Sequence, residues 1–556
     1  MVAGILAGRL VPVAMRRGVT RARRRGRIAA MLAAARVGRR GQVPRTVALT
    51  TVAVALLCYG AVVWDVAGRN QVQRAGADLG APTVYSVQVA SAQQLRDAVR
   101  RADPSGKQAM AVARGLYGNG AKTTEVLAVD SGRFADVAYW QPSFADRSPA
   151  QLARLLRPAA PPLLTVRDGT LGVDLTARTI SPDLTLVALL SDDRRGQRVV
   201  RLGGLATGRH RLTGRVSGCG SGCRVVGFDL YRGPDAPARI RGDLTLTGLT
   251  AGGRTVAPMN RSGRWRGVEP TMDQPVSTVS AAAGGTTVRF DAPGGEDLRV
   301  LRVDAPYPLP AVSTGRIGRH RGRTAGPGLY GLDQPYRIVA RAETVPAIRN
   351  GLLVDLTYAD RSAPDGSALE TPMRYQVWAA PGAPAGLRSR LSAAGLTITG
   401  TDTLAAHRAR LARQGPALAL RLYLVAAFVA LLLAAAAILV TAHLTARPLR
   451  YELAALRVAG LSRRLLRRAG WREYALLLGT GVLVGAFAGG VGAALAVPRL
   501  PQVTQTGGPP PLWLPGPWWP GGALVASVLL LGFAAAVAVG AAVTRGRPER
   551  LREGAT

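Results

Sequence analysis

Residues 447–497 read RPLRYELAALRVAGLSRRLLRRAGWREYALLLGTGVLVGAFAGGVGAALAV. Three kinds of chemistry follow one another along this stretch. Residues 449–458 pattern as a short amphipathic helix that ends at Gly460, and Ser462 is placed to cap a second helix. That helix leads with arginines into residues 474–497, which carry no charge. A helix rises about 1.5 Å per residue and a bilayer core is about 30 Å thick, so roughly 20 apolar residues can span it. Gly481, Gly485, Gly489 and Ala493 recur every four residues, on one face. A face without side chains lets a second helix approach closely in lipid, where no hydrophobic drive brings helices together. Gly532, Ala536 and Gly540 repeat the spacing further on. The competing reading is abundance, since the chain holds 67 glycines.

Working outward, three more runs are long and apolar enough to span: about 46–64, 423–444 and 523–543. Four such runs at the two ends of one chain are hard to bury in a soluble core. The first lies too far from the N-terminus for an ordinary signal peptide. Residues 16–45 hold eleven arginines and no acid, and the loop 445–473 holds eight against Glu452 and Glu473. The tail after Val543 holds four, whereas residues 498–521 hold only Arg499. By the positive-inside rule both termini and the loop 445–473 face the cytoplasm, and 66–416 lies outside. Trp513, Trp518 and Trp519 suit an interfacial aromatic belt. Residues 20–37 pattern as an arginine-bearing helix for the inner membrane surface, held by anionic lipid; the bland alternative is a disordered basic tail.

Composition agrees with a segregated chain. The 556 residues are 48% hydrophobic yet carry a formal charge of +39. The apolar fraction excludes overall disorder, and three cysteines exclude a disulfide-dense scaffold. All basic residues but Lys107 and Lys122 are arginine, so part of the charge reflects codon usage and does not by itself argue for nucleic acid.

The outer segment reads as mixed α/β at both flanks. Residues 84–89 are strand-like, Ser91 and Gln94 are spaced for a capping box, and Leu95, Ala98, Val99 and Ala102 follow at helical spacing. Ser148, Pro149 and Gln151 mark another helix start. At the far flank, Met373, Tyr375 and Val377 alternate, residues 385–394 form a helix, 396–399 a strand, and 402–413 a helix. Between the flanks, 166–305 shows short alternating runs separated by Gly, Asp and Pro, the pattern of a β-sandwich or small barrel. It contains Cys219 and Cys223. Outside the membrane an oxidised pair is expected; two free thiols and a metal site are the alternatives, the last with no further ligand nearby.

Catalytic motifs are missing. Four histidines lie far apart, and neither H-E-x-x-H nor G-x-S-x-G occurs. Residues 118–123 (GNGAKT) lack the glycine before lysine that a phosphate loop needs. No catalytic residue and no metal site is therefore expected.

The stretch 447–497 resembles the FtsX-like permease domain of MacB-type ABC transporters. Glu452-Leu-Ala, Arg457, the Gly460-Leu461-Ser462 turn, Glu473 and the glycine-rich span carry the resemblance. The order of one span, a large outer domain and three spans matches as well. The residue patterns, with the resemblance, give the expected fold: an α-helical membrane protein with four transmembrane helices and a large mixed α/β extracellular domain containing a β-sandwich-like insert. The segments expected are 1–45 (basic, cytoplasmic or interfacial), 46–65 (first span), 66–165 and 306–416 (α/β), 166–305 (insert), 417–444 (second span), 445–473 (coupling loop), 474–497 (third span), 498–521 (outer loop), 522–543 (fourth span) and 544–556 (tail).

The same resemblance implies that ATP and Mg sit on a separate ABC ATPase subunit, docked around Glu452, Arg457, Gly460, Leu461 and Ser462, with Glu473 at the membrane entry. No cofactor binds this chain directly. Its other partners are a second permease subunit, identical or not, and membrane lipid, but not nucleic acid. Activation of a cell-wall hydrolase, signalling, and an ATP-independent binding domain are the alternative functions. The insert 166–305 and the lack of a first permease half depart from the family pattern; on one reading residues 1–15 are the remnant of a preceding span.

Overall fold

The computed structural model describes the chain except residues 1, 25–27, 40–42, 118–123, 193–195, 260–262, 268–276, 283, 294–297, 316–318, 321–322, 332, 349, 363–372, 446–454, 457, 459, 500–515, 517 and 545–556. It divides into a helical unit (1–73, 408–506 and 511–556) and a sheet-rich unit (74–407 with 507–510). The division falls inside two helices, Val43–Leu79 and Leu404–Leu411.

Four helices of the first unit are long and apolar enough to cross a membrane: Pro44–Leu79, Gly415–Leu444, Arg464–Ala496 and Trp518–Ala541. Their neighbours give their directions. Gly481 of the third lies against Thr50 of the first, Gly485 against Thr51 and Val54, and Gly489 against Ala55 and Cys58. Both sequence numbers rise together, so these helices run parallel. Gly60 meets Tyr423 and Leu424, whereas Ala53 and Val54 cluster with Leu431, Ala434 and Ile438, so the first and second are antiparallel. Gly470 faces Val539 while Leu478 and Val482 share a cluster with Leu531 and Ala534, so the third and fourth are antiparallel. Consecutive spans thus alternate, as four successive crossings require. The first helix is the most enclosed: 56% of its apolar window is buried, against 28–39% for the others. Leu422, Leu433, Leu483, Phe487, Leu529 and Phe533 point outward from the other three, as lipid-facing side chains do.

Two features of this unit differ from the expectation. The apolar run 46–64 ends at Trp64, but its helix continues to Leu79. Charged residues end the apolar run without ending the helix, because Asp65–Arg69 and Arg74–Asp78 pair one turn apart. Termination waits for Gly80 at φ +89, whose N–H bonds the Gly76 carbonyl. The basic N-terminal segment, in turn, is two helices, Val2–Arg24 and Ile28–Arg39, rather than one surface helix over 20–37. Met15 and Val37 from this pair pack with Val47 of the first span and Leu477 of the third.

In the second unit a ten-stranded sheet runs in the order Arg319–His320, Arg323–Pro327, Asp333–Arg341, Leu309–Thr314, Gly351–Asp355, Thr124–Val129, Ala109–Tyr117, Arg374–Ala379, Thr83–Gln88, Thr397–Thr403. Period-two alternation along Ala109–Tyr117 sends Ala109, Ala111 and Ala113 to one face and Met110 and Val112 to the other. Small side chains on the first face admit helix Ala92–Ala102, which packs Leu95, Ala98 and Val99 there. Phe134, Val137, Leu152 and Leu156 cover the opposite face. Ser91 caps its helix as expected, but the Gln94 side chain reaches the Ala90 N–H rather than that of Ser91. Ser148 and Gln151 form a complete capping box.

Thr165–Val166 to Val300–Arg302 builds two antiparallel sheets, one centred on Ile240–Ala251 and the other on Cys223–Arg232. Leu171, Val173, Leu175 and Leu244 of the first interleave with Leu184, Leu186, Ala188 and Phe228 of the second, the arrangement of a β-sandwich. Cys219 and Cys223 are joined in a disulfide. Where the chain returns to the large sheet, the buried Asp304 receives Arg224 at 2.8 Å and Arg302 at 3.3 Å. Arg266 donates to the Ser362 carbonyl and lies over the Tyr307 ring, tying the insert to the α/β body.

Candidate coupling site

The start of the third spanning helix and the turn before it form the candidate site. Glu452 and Arg457 lie outside the described residues, as does most of the amphipathic segment 449–458. Leu456 and Val458 are helical, and Val458 is exposed. Gly460 adopts φ +93 and is exposed, and a Cβ placed on it meets nothing within 4 Å among the described residues. The Leu461 N–H donates to the Leu456 carbonyl at 3.1 Å, the six-residue closure of a Schellman motif with Gly460 in the left-handed position. A side chain at Gly460 meets backbone strain rather than a clash. Ser462 then caps Arg463–Ala496, accepting the Leu465 N–H at 3.4 Å. Gly460, Leu461 and Ser462 therefore form a helix stop followed directly by a helix start, which fixes the angle between the two.

The first turns of this helix separate charge from packing. Arg464, Arg467, Arg468 and Arg472 are exposed, while Leu466 and Ala469 are buried. Glu473 ends the charged part, its side chain only 4% exposed. Arg36 of the N-terminal helix Ile28–Arg39 places Nη1 4.0 Å from Oε2 of Glu473. A carboxylate at the entry to an apolar helix needs such compensation, because an uncompensated buried charge is costly. Sequence reasoning did not find Arg36. The usable signal was an arginine ending the apolar run AAMLAAAR and a lone acid at the start of another apolar run.

Beyond Glu473 the helix becomes a close-packed rod. A Cβ on Gly485 falls 2.7 Å from the Thr51 carbonyl oxygen and one on Gly489 falls 2.6 Å from that of Ala55. One on Gly481 runs into the Thr50 side chain. Ala493 continues the seam beside Val62, Val63 and Val66. Gly532 and Gly540 differ: a Cβ on either meets nothing within 4 Å among the described residues. At the other end of the first span, Trp64 packs edge-on against Trp519, and Asp65 accepts the Gly516 N–H at 2.6 Å. One end of the helical unit is thus rich in arginine and the other in tryptophan.

Residues 424–546 match the family model for the FtsX-like permease C-terminal domain. That segment, 424–546, is similar to an FtsX-like permease C-terminal domain. No curated protein matches the chain. FtsX-like permeases are membrane components of ABC transporters and work with ATPase partners. The matched segment contains most of the second span and all of the third and fourth, together with the turn at Gly460 and the seam glycines 481, 485 and 489. Among the described residues no group of three or more His, Cys, Asp or Glu is arranged to hold a metal ion.

Proposed function

We propose that this chain is the permease subunit of a MacB-type ABC transporter, moved by an ATPase on a separate chain. The ATPase docks on the loop 445–473, which faces the cytoplasm, around the exposed Gly460 turn and the arginines of the following helix. Closure of two ATPase subunits displaces the start of the third span. The glycine seam carries that displacement to the first span, since backbones in contact at 2.6–2.7 Å to a Cβ position leave no slack for sliding. The first span is part of one unbroken helix, Val43–Leu79, whose last residues belong to the sheet-rich unit. That unit lies outside the membrane and does the work on a substrate there, extruding or releasing an antibiotic, peptide, lipid or lipoprotein.

The observation that carries this reading is the seam in which glycines of the third span, inside the matched segment, pack against the first span, which lies outside it. Purification in mild detergent, identification of every bound chain, and an ATPase measurement test it. An ABC ATPase co-purifies, hydrolysis depends on that subunit, and Gly460→Val weakens its coupling to the permease. Nucleotide hydrolysis by the purified chain alone overturns the proposal.

A further inference from the structure

Among its described side chains, helix Val2–Arg24 carries an exposed stripe. Leu6, Leu10, Val13, Arg17, Thr20 and Arg24 are all exposed, and at about 100° per residue they fall within roughly 80° of one another. Along the stripe the first half is apolar, with Leu6 54%, Leu10 64% and Val13 50% exposed, and the second half is basic; exposed Arg9 lies about 20° beyond its edge beside the apolar half, where its long side chain can reach back to the headgroups, and exposed Arg23 lies about 60° beyond it. The opposite side is engaged, as Met15 packs with Val37, Val47 and Leu477. Val47 and Leu477 lie in the opening turns of the first and third spans, so the helix is held at the membrane's arginine-rich end. Apolar side chains beside lipid-facing spans, followed on the same stripe by arginines, match the boundary between acyl chains and anionic headgroups.

We propose that this stripe is a binding surface for anionic lipid of the inner leaflet. Leu6, Leu10 and Val13 enter the acyl region, and Arg17, Arg23 and Arg24 meet headgroup phosphates. Ile28–Arg39 connects this surface to the coupling helix through Arg36 and Glu473. The lipid charge beneath the protein therefore sets how firmly the N-terminal helices hold the start of the third span. The inference uses the inward orientation of the arginine-rich end but does not require the ATPase partner, so its test is made on the permease chain alone.

The test compares the full chain in nanodiscs of phosphatidylcholine with discs containing phosphatidylglycerol, by hydrogen exchange over residues 2–24. A spin label at Leu10→Cys, in a Cys58→Ala background, reports depth. Each headgroup-facing arginine favours docking by about fivefold, so Arg17→Gln/Arg23→Gln/Arg24→Gln lowers the docked-to-free ratio on the order of a hundredfold in anionic discs. Exchange over 2–24 then accelerates, while the corresponding triple lysine variant stays protected, which excludes misfolding as the cause. The wild-type label becomes more accessible to oxygen than to a nickel chelate when phosphatidylglycerol is present. Equal exchange in the two lipid compositions, or a glutamine variant as protected as wild type, overturns the proposal. Protection that appears only after an ATPase subunit is added also overturns it, by assigning the stripe to a protein.

Discussion

Adding one methyl group at Gly485 or Gly489 tests the seam on which the proposed force transmission depends. The Gly485→Ala methyl lands 2.7 Å from the Thr51 carbonyl oxygen and 2.9 Å from the Val54 Cβ; at Gly489 the neighbours are the Ala55 oxygen at 2.6 Å and the Cys58 Cβ at 3.1 Å. The carbonyl oxygens belong to helical backbone and cannot rotate aside. To restore ordinary contact the two helices must separate locally by about 0.7 Å, a gap that forfeits a quarter to a half of the dispersion attraction across it. Overpacking of this kind costs about 1–3 kcal/mol. Replacing glycine by alanine also favours the helix by up to about 1 kcal/mol, but that gain is shared with Gly532→Ala and Gly540→Ala, which meet open space. The difference between the two pairs therefore isolates the seam. Equilibrium unfolding in mixed micelles titrated with denaturing detergent measures it. The account predicts that the 485 and 489 variants are less stable than the 532 and 540 variants by about 1–3 kcal/mol. Equal stability of all four refutes the close approach. If the seam is confirmed, the two less stable variants also transmit less ATPase activity to the sheet-rich unit.

Three further outcomes follow from named contacts. Glu473→Gln leaves Arg36 beside a neutral amide, and hydrogen exchange over 28–39 rises at least tenfold, whereas Arg36→Met with Glu473→Met together recovers much of the protection because no buried charge remains. Burial works against the charged form of Asp103, but the Ser105 hydroxyl, the Gln108 and Ala109 N–H groups and Arg133 outweigh it and hold the carboxyl below its ordinary range. Its contribution is present above the unfolded value of 3.8 and is lost as pH falls through the lowered folded value; Asp103→Asn removes about 1.5–3 kcal/mol at neutral pH and flattens that acid limb in thermal unfolding. Asp304→Asn unbalances Arg224 and Arg302 where the sandwich rejoins the α/β body, and limited proteolysis then separates the insert more readily, at a cost of about 3–5 kcal/mol.

How much was legible in the sequence depended on the range of the signal. The four apolar runs, the glycine repeat at 481, 485 and 489, the Ser148 capping box and the alternating strands of the insert are local patterns, and each is present in the structure. The Cys219–Cys223 disulfide needs only two neighbouring cysteines and appears as well. What the sequence hid lies far apart along the chain. Arg36 and Glu473 meet through tertiary packing, and no periodicity links them. The extension of the first helix to Leu79 was hidden because hydropathy reports lipid exposure, while the helix itself persists through paired charges until a glycine stops it. Gly532 and Gly540 share the spacing of the seam, but spacing only makes a face smooth, and among the described residues a Cβ there meets nothing within 4 Å. The insert is legible as a fold and silent about its substrate, since its buried residues record packing alone.

The central claim is that an ATPase on another chain moves this permease through the Gly460 turn. A photoreactive amino acid placed at Leu461 in living cells, with Phe487 as the lipid-facing control, tests it most directly. The account predicts that Leu461 captures an ABC ATPase subunit identified by mass spectrometry and that Phe487 does not. If both positions yield lipid adducts, or if reagents added from outside the cell label position 461, the coupling account is contradicted.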